Sequence, residues 1–504
     1  MSFLGIDLGT SGLRAMLIDE AGLAIRTVEA AYTTRSPEPG WSEQDPKLWI
    51  DALDTVVEEL RTTEPRFSKL IGIGVAGHMH GATLLDDMGN VLRPCILWND
   101  TRSATEATAL DQNSVFREFS GNIVFPGFTA PKLAWVAKHE PEIFGKIAKV
   151  LLPAAYLNYH LTGDYVADLS DSAGTSWLDV HTRDWSNTLL SLGGMDLSQM
   201  PKLVEGCDKA GTLRQDLKRK WGLKQDVVIA GGAGDNAAAA CGIGAFKEGQ
   251  GFVSLGTSGV VLIARDGCYP APETAVHTFC HALPSRWYQM GVMLSATDSL
   301  NWLSKVTGQT PAQLTRALPD ALRAPNAVKF MPYLSGERTP HNDASVRGGF
   351  LNVSIQNDAV DLTQSVLEGV AFGLRDSLEA LRQTGALPKT LYAIGGGAKS
   401  DYWLKLLATV LQIELQVPEE GDFGPALGAA RLAKIASCGL DHNTVMHSPT
   451  VSRVVKPDPN LMDTFERAYQ NFKQNFAGYR SLIDPKDHEM SDAVAYMTGA
   501  KNPT

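Results

Sequence analysis

The chain has 504 residues, 44% of them hydrophobic and 20% charged, with a formal net charge of −11. That length predicts two domains with full apolar cores. The negative balance argues against nucleic acid as the main partner, because phosphate backbones select basic surfaces.

No basic stretch leading into an apolar run opens the chain, and Asp7 interrupts the first apolar segment. No uncharged apolar run reaches the roughly 18 residues of a membrane span, so no membrane partner is expected. Cys95, Cys207, Cys241, Cys268, Cys280 and Cys438 show no C-x-x-C spacing, which fits reduced thiols and a cytoplasmic setting.

Phe3 to Ile6 reads as a strand, Leu8-Gly9-Thr10-Ser11-Gly12 as a glycine turn, and Ala15 to Ile18 as the returning strand. Asp7 ends the first strand. A carboxylate there either caps the turn or holds Mg²⁺, usually through water. Ile71 to Ala76 is another strand. Gly72-x-Gly74-x-x-Gly77 within it matches a dinucleotide pattern but leads into Met79-His80-Gly81 rather than a helix, which counts against that reading. Gly77-His78-Met79-His80-Gly81 follows this strand, and Trp98, Asn99, Asp100 and Arg102 follow another apolar run. Both clusters either meet sugar hydroxyls or serve the structure.

Val227 to Ala230 is a strand that runs into Gly231-Gly232-Ala233-Gly234-Asp235-Asn236 and then alanines, which favour a helix. Asp235 therefore stands at a helix N-terminus. It is either an N-cap or a general base that takes a hydroxyl proton during attack on a γ-phosphate. A cap alone does not require three nearby glycines.

Gly242 to Gly251 reads as a hinge, giving domains at 1–244 and 245–504. Beyond it the opening pattern recurs: Phe252 to Val253, the turn Leu255-Gly256-Thr257-Ser258-Gly259, then Val260 to Ile263. A matched context about half a chain away indicates duplication. Each turn offers backbone N–H groups and two hydroxyls that can form an anion-binding nest. Two of them suggest a phosphate chain gripped from both sides of a cleft. His277, Cys280 and His281 lack a second cluster of metal ligands, so a structural role is expected.

Leu391 to Ile394 is a strand before Gly395-Gly396-Gly397; Trp403 to Val410 and Ala426 to Ala436 are helices. The triple glycine and Gly424-Pro425-Ala426-Leu427-Gly428-Ala429-Ala430 together suggest close backbone approach to a flat ligand such as adenosine. Phe465 to Phe476 is amphipathic, and the last dozen residues read as a solvated tail. Strands alternating with helices imply an α/β fold. Neither a Walker A sequence nor the G-x-S-x-G elbow of hydrolases is present.

Several longer runs carry a resemblance. They are Gly5-Ile6-Asp7-Leu8-Gly9-Thr10-Ser11, Trp41-Ser42-Glu43-Gln44-Asp45-Pro46, Met79-His80-Gly81-Ala82-Thr83, Ile96-Leu97-Trp98-Asn99-Asp100, Pro126 to Leu133 with Trp135, and Leu334-Ser335-Gly336-Glu337-Arg338-Thr339-Pro340-His341. To about Ala436 the sequence resembles the FGGY carbohydrate kinases. The resemblance implies two actin-like (ribonuclease H-like) ATPase domains flanking a catalytic cleft, the first binding sugar and the second nucleotide. It implies Asp235 as catalytic base, and Asp7 as a catalytic, metal-linked aspartate. It implies Met79, His80, Trp98 and Asn236 with Asp235 at the sugar, and Thr10, Ser11, Gly256, Thr257, Gly396 and Gly397 at ATP.

The expected substrate is D-xylulose, with ATP and Mg²⁺, and the expected assembly is a homodimer. Kinases of ribulose, glycerol, gluconate or a pentitol are the rival readings, with an actin- or chaperone-like ATPase and a sugar sensor further away. His78, which adjoins the sugar-binding pair, stands where the family pattern has glutamine, so the fine sugar preference is expected to turn on that position. The tail after about Asp484 extends beyond the pattern.

Overall fold

A computed structural model describes residues 1–419 and 424–482. The tail expected after Asp484 lies outside them. Each half of the chain is built on a seven-stranded mixed sheet. In the first, Ser2–Leu8, Gly12–Asp19 and Ala24–Ala31 run antiparallel. Leu70–Gly77 lies parallel to Ser2–Leu8, and Val228–Ala230 lies parallel to Leu70–Gly77.

The second sheet repeats the scheme. Gly251–Leu255, Gly259–Arg265 and Trp287–Met293 are antiparallel, and Thr390–Ile394 and Glu414–Pro418 add in parallel. An antiparallel strand flanks the parallel pair in each sheet, Lys209–Thr212 in the first and Val451–Val455 in the second. The duplication expected from the two glycine turns is thus a duplication of sheet architecture. The expected strands are all present, the expected helices extend to Asp401–Leu411 and Pro425–Cys438, and the amphipathic segment lies within helix Met462–Leu482.

The halves interlock. Pro425–Cys438 has proline in its first turn and left-handed Gly439 at its end, as a helix start and stop require. It packs on the first sheet, not the second: Ala426, Leu427, Ala430 and Ala433 share a core with Phe3, Met16 and Ile18. The approach is so close that only glycine fits beneath it. A Cβ at Gly5 would lie 1.8 Å from the Ala426 carbonyl oxygen, and one at Gly74 would lie 2.1 Å from that of Ala429. Gly72 and Gly74 of the dinucleotide-like pattern thus make room for this helix.

Gly428 overturns an expectation. A Cβ there would lie 1.8 Å from the Ala238 carbonyl oxygen, so it serves contact with helix Asp235–Gly242 rather than with adenosine. Gly428→Ala is expected to cost about 3 kcal/mol of stability through overpacking, read from urea unfolding. A loss under about 1 kcal/mol would mean that the two helices part easily.

The segment between the parallel strands of the first sheet reaches across to the second. The Asn122 amide donates to the Thr278 carbonyl at 2.9 Å and accepts from the Thr278 N–H at 2.9 Å. The Trp287 indole donates to the Val180 carbonyl at 2.7 Å.

Candidate active site

Strand register brings the predicted carboxylates to one edge. Asp7 and Ala233 both pair with Ala76, and Leu8 and Gly234 both pair with Gly77. Asp7, the His78–His80 segment and Asp235 therefore leave the carboxyl ends of neighbouring parallel strands, where open α/β sheets bind ligands.

Asp235 is the first residue of helix Asp235–Gly242, and Gly234 is its N-cap. The N-cap alternative for Asp235 is thereby excluded. Its Oδ1 accepts from the Asn236 backbone N–H at 2.7 Å and the Asn236 side-chain amide at 2.9 Å. Burial pushes the carboxyl up to about 6, against those two hydrogen bonds.

Behind it lies a segment that sequence reasoning did not read. Asp168 caps the short helix Leu169–Ser172, and the Ser170 hydroxyl donates to Asp168 and accepts from the Gly234 N–H at 3.1 Å. This chain fixes the backbone just before Asp235. Asp171 is fully buried with neither oxygen hydrogen-bonded. Burial, then the nearby carboxyls of Asp168 and Asp235, raises it well above the usual range.

Met79 and His80 adjoin. The Tyr288 hydroxyl reaches Met79 Sδ at 3.7 Å. His80 has a left-handed φ of 69°, strained for a non-glycine residue. Three contacts hold it there. Its Nδ1 meets the Gly174 carbonyl at 2.7 Å, and its own carbonyl accepts from Lys132 Nζ at 2.7 Å and Thr129 Oγ1 at 3.2 Å. Since a carbonyl only accepts, Nδ1 carries the proton and Nε2 is an acceptor. Burial dominates in holding the imidazole down to about 3, so it stays neutral. Lys132 is fully buried, and burial brings its amine down to about 7. A lysine in a sequence reads as surface, so nothing signalled this role.

The other clusters divide. His78 does not open on the cleft: its ring is 2% exposed and packs edge-on against Trp49 at 5.7 Å. Trp98 joins the first glycine turn, its indole N–H donating to Thr10 Oγ1 at 3.0 Å. Asp100 and Arg102 form a buried pair at 2.7 Å, with Arg102 also on Glu43 and 3.7 Å from the Trp41 ring centre. Those two serve the scaffold. His277 stacks on Phe279, and His281 Nε2 lies 3.2 Å from the Ala245 carbonyl.

The glycine turns are pinned through their carbonyls. The Tyr32 hydroxyl donates to Gly9 O at 2.6 Å and the Gln44 amide to Thr10 O at 2.6 Å. The Thr297 N–H and hydroxyl donate to Gly256 O at 3.0 and 2.8 Å, and the Ala296 N–H to Thr257 O at 2.9 Å. Among the described residues no acceptor takes the N–H of Thr10, Ser11, Thr257 or Ser258, so these donors remain for an anion. Gly395, at φ +90°, sits so close that a Cβ would meet Leu255 at 2.8 Å, and the triple glycine thus abuts the second turn. Beside it opens a cavity of about 850 Å³ lined by Gly396, Gly397, Thr297, Asn301, Arg316 and Tyr402. That volume accommodates a nucleoside.

Comparison with known proteins identifies the family. The model of the FGGY family of carbohydrate kinases, N-terminal domain, matches residues 2–242, and that of the C-terminal domain matches residues 251–437. The xylulose kinase of Klebsiella pneumoniae is 46% identical over 95% of this chain and 100% of its own. That of Escherichia coli K12 is 44% identical over 93% and 98%. A crystal structure of a "xyloylose kinase" from Brucella ovis, 53% identical, superposes with a TM-score of 0.94 over 96% of this chain and 100% of its own. The chain belongs to the FGGY family of carbohydrate kinases and is an ATP-dependent sugar kinase of two-domain, actin-like α/β fold.

Proposed function

We propose that the chain transfers the γ-phosphate of ATP to the terminal hydroxyl of D-xylulose, giving D-xylulose 5-phosphate. The observation that carries this is Asp235, half-buried at the strand edge beside Met79 and His80 and shared with Asp7. The 44–46% identity to xylulose kinases of two bacteria supports the choice of sugar.

Asp235 accepts the hydroxyl proton as the oxygen attacks phosphorus in line. With its carboxyl at about 6 it is ionised at neutral pH yet more basic than a solvated aspartate. Met79, His80 and Asn236 orient the sugar, with His80 Nε2 accepting from a hydroxyl. Trp98 contributes at the sugar's approach to the first turn. Gly396 and Gly397 border adenosine. The turns at Thr10, Ser11, Gly256 and Thr257 hold the phosphates through their backbone N–H groups.

Asp7 fits a Mg²⁺ ligand, since its half-buried carboxylate ends a strand beside one of these turns. Bound there, the ion would neutralise phosphate charge. Residues 1–244 carry the sugar and 245–504 the nucleotide in this reading, with helix Pro425–Cys438 crossing between them. The six free cysteines agree with a cytoplasmic setting.

The test is ADP release from Mg-ATP with D-xylulose, D- and L-ribulose, xylitol, glycerol and gluconate. The expected result is the highest kcat/KM for D-xylulose. Preference for another compound would refute the substrate, and the absence of sugar-dependent release would refute the reaction.

A further inference from the structure

The second half of the chain reaches the aromatic cluster around His80, through Phe279 and Arg338. A row of contacts leads there from the base. Gly234 precedes Asp235, and a Cβ on it would lie 2.9 Å from Met79 Cγ. His80 follows Met79 and stacks on Phe128, with ring centres 4.3 Å apart. Phe128 meets Phe125 edge-on at 5.4 Å. Arg338 ends the row, its Cζ 4.8 Å from the centre of the Phe125 ring. Asp235 and Arg338 thus stand at opposite ends of one row of contacts.

Arg338 is half-buried. Among the described residues its guanidinium makes no hydrogen bond or ion pair. The neighbouring Glu337 feels its charge but makes no ion pair with it. That carboxylate is buried and turned inward, accepting from the Leu294 N–H at 3.0 Å and the Arg338 backbone N–H at 2.7 Å. The guanidinium's charge is felt by the rings beside it. Burial first, and then Arg338, keeps His277 neutral, and Arg338 adds to burial and Lys132 in doing the same for His80.

A partly desolvated guanidinium without a partner is costly, and it offers five donors and no acceptor. The ligand that suits it presents acceptors at that end. When the terminal hydroxyl of a 2-ketose faces Asp235, its other end carries the C2 carbonyl, which only accepts, next to the C1 hydroxyl. The corresponding polyol replaces that carbonyl by a hydroxyl on a tetrahedral carbon, whose oxygen also accepts but whose proton finds no acceptor on the guanidinium. We propose that Arg338 binds the carbonyl end of the sugar and is a specificity-determining residue favouring 2-ketoses over polyols. This rests on the phosphorylation of D-xylulose proposed above. It moves the seat of sugar preference from His78, whose ring is enclosed, to the Leu334–His341 segment.

The experiment compares wild type with Arg338→Met, measuring kcat/KM for D-xylulose and xylitol, KM for ATP, and inhibition by D-xylonate. Xylonate places a carboxylate at the C1 end, a bidentate partner for arginine. Loss of a charge-assisted hydrogen bond is expected to lower kcat/KM for D-xylulose by about 10- to 100-fold, and that for xylitol by less than about threefold. Xylonate should compete with D-xylulose in the wild type and weaken by about tenfold or more in the variant, with KM for ATP unchanged. The ratio between two sugars does not depend on how much of the variant folds, and xylonate decides the matter where xylitol turnover is too slow to measure. An unchanged ratio, or xylonate inhibition that is absent from the wild type or survives in Arg338→Met, would overturn the proposal. A wild type that ignores D-xylulose but phosphorylates another sugar would instead overturn the substrate reading and this inference with it.

Discussion

Asp235→Asn is expected to reduce kcat by about 10²- to 10⁴-fold while leaving the sugar KM within a few fold. The substitution keeps the side-chain shape and an oxygen to receive the Asn236 N–H, now 2.7 Å from Oδ1. What it removes is the ability to take a proton. The same assignment fixes the sign of the pH dependence. Burial raises the carboxyl to about 6, so the active, ionised form is lost as pH falls through that value. Wild-type kcat/KM should therefore drop about tenfold per unit below pH 6. A profile flat down to pH 4.5, or an Asn variant with near-normal turnover, would remove Asp235 from the reaction.

Lys132→Met comes second in expected size. The lysine is fully buried, and its amine spans 2.7 Å to the carbonyl of His80, a residue at φ 69°. Removing that donor leaves the longer Thr129 hydroxyl contact on the carbonyl, and the ring's bond to Gly174, to hold a strained backbone. Misplacement of about 1 Å at a site can cost on the order of 10²-fold, so kcat/KM for the sugar should fall by about 10- to 100-fold. KM for ATP should not move. A neutral amine still donates N–H, so sugar affinity should not follow the lysine's own titration near pH 7. Equal changes in the sugar and ATP constants would reassign Lys132 to the general scaffold.

The contrast between these two residues says what the sequence made legible. Asp235 announced itself through its surroundings: an apolar strand, three glycines and a run of alanines leave few other uses for a carboxylate. Strands such as Ile71 to Ala76 were visible because burial on both faces selects continuous apolar runs. The second glycine turn was visible because the first had already occurred.

Lys132 was invisible as a site residue although its segment was singled out. Lysine is normally solvated, and only the fold reveals that this one ends on a main-chain carbonyl. Gly428 misled for a related reason. Glycine is required wherever a backbone must be approached closely, and one dimension does not distinguish a ligand from the carbonyl of Ala238. His78 drew attention as an odd residue beside the sugar pair, but side chains alternate about an extended backbone, and its ring faces Trp49. Arg338 lay in a conspicuous segment, but its relation to Phe125 links positions far apart in the chain.

The passage of helix Pro425–Cys438 onto the first sheet bears on how the molecule is made. A ribosome that has released residues 1–244 has delivered every strand of that sheet but not the helix that covers Phe3, Met16 and Ile18. Until Cys438 emerges, one apolar face stays open, with the narrow slots above Gly5 and Gly74 unfilled. The amino-terminal half therefore borrows part of its core from residues 425–438. The first sheet gains its cover on that face only after the whole second sheet but its last strand has been made, and a chain that stops at residue 244 would leave that apolar face bare.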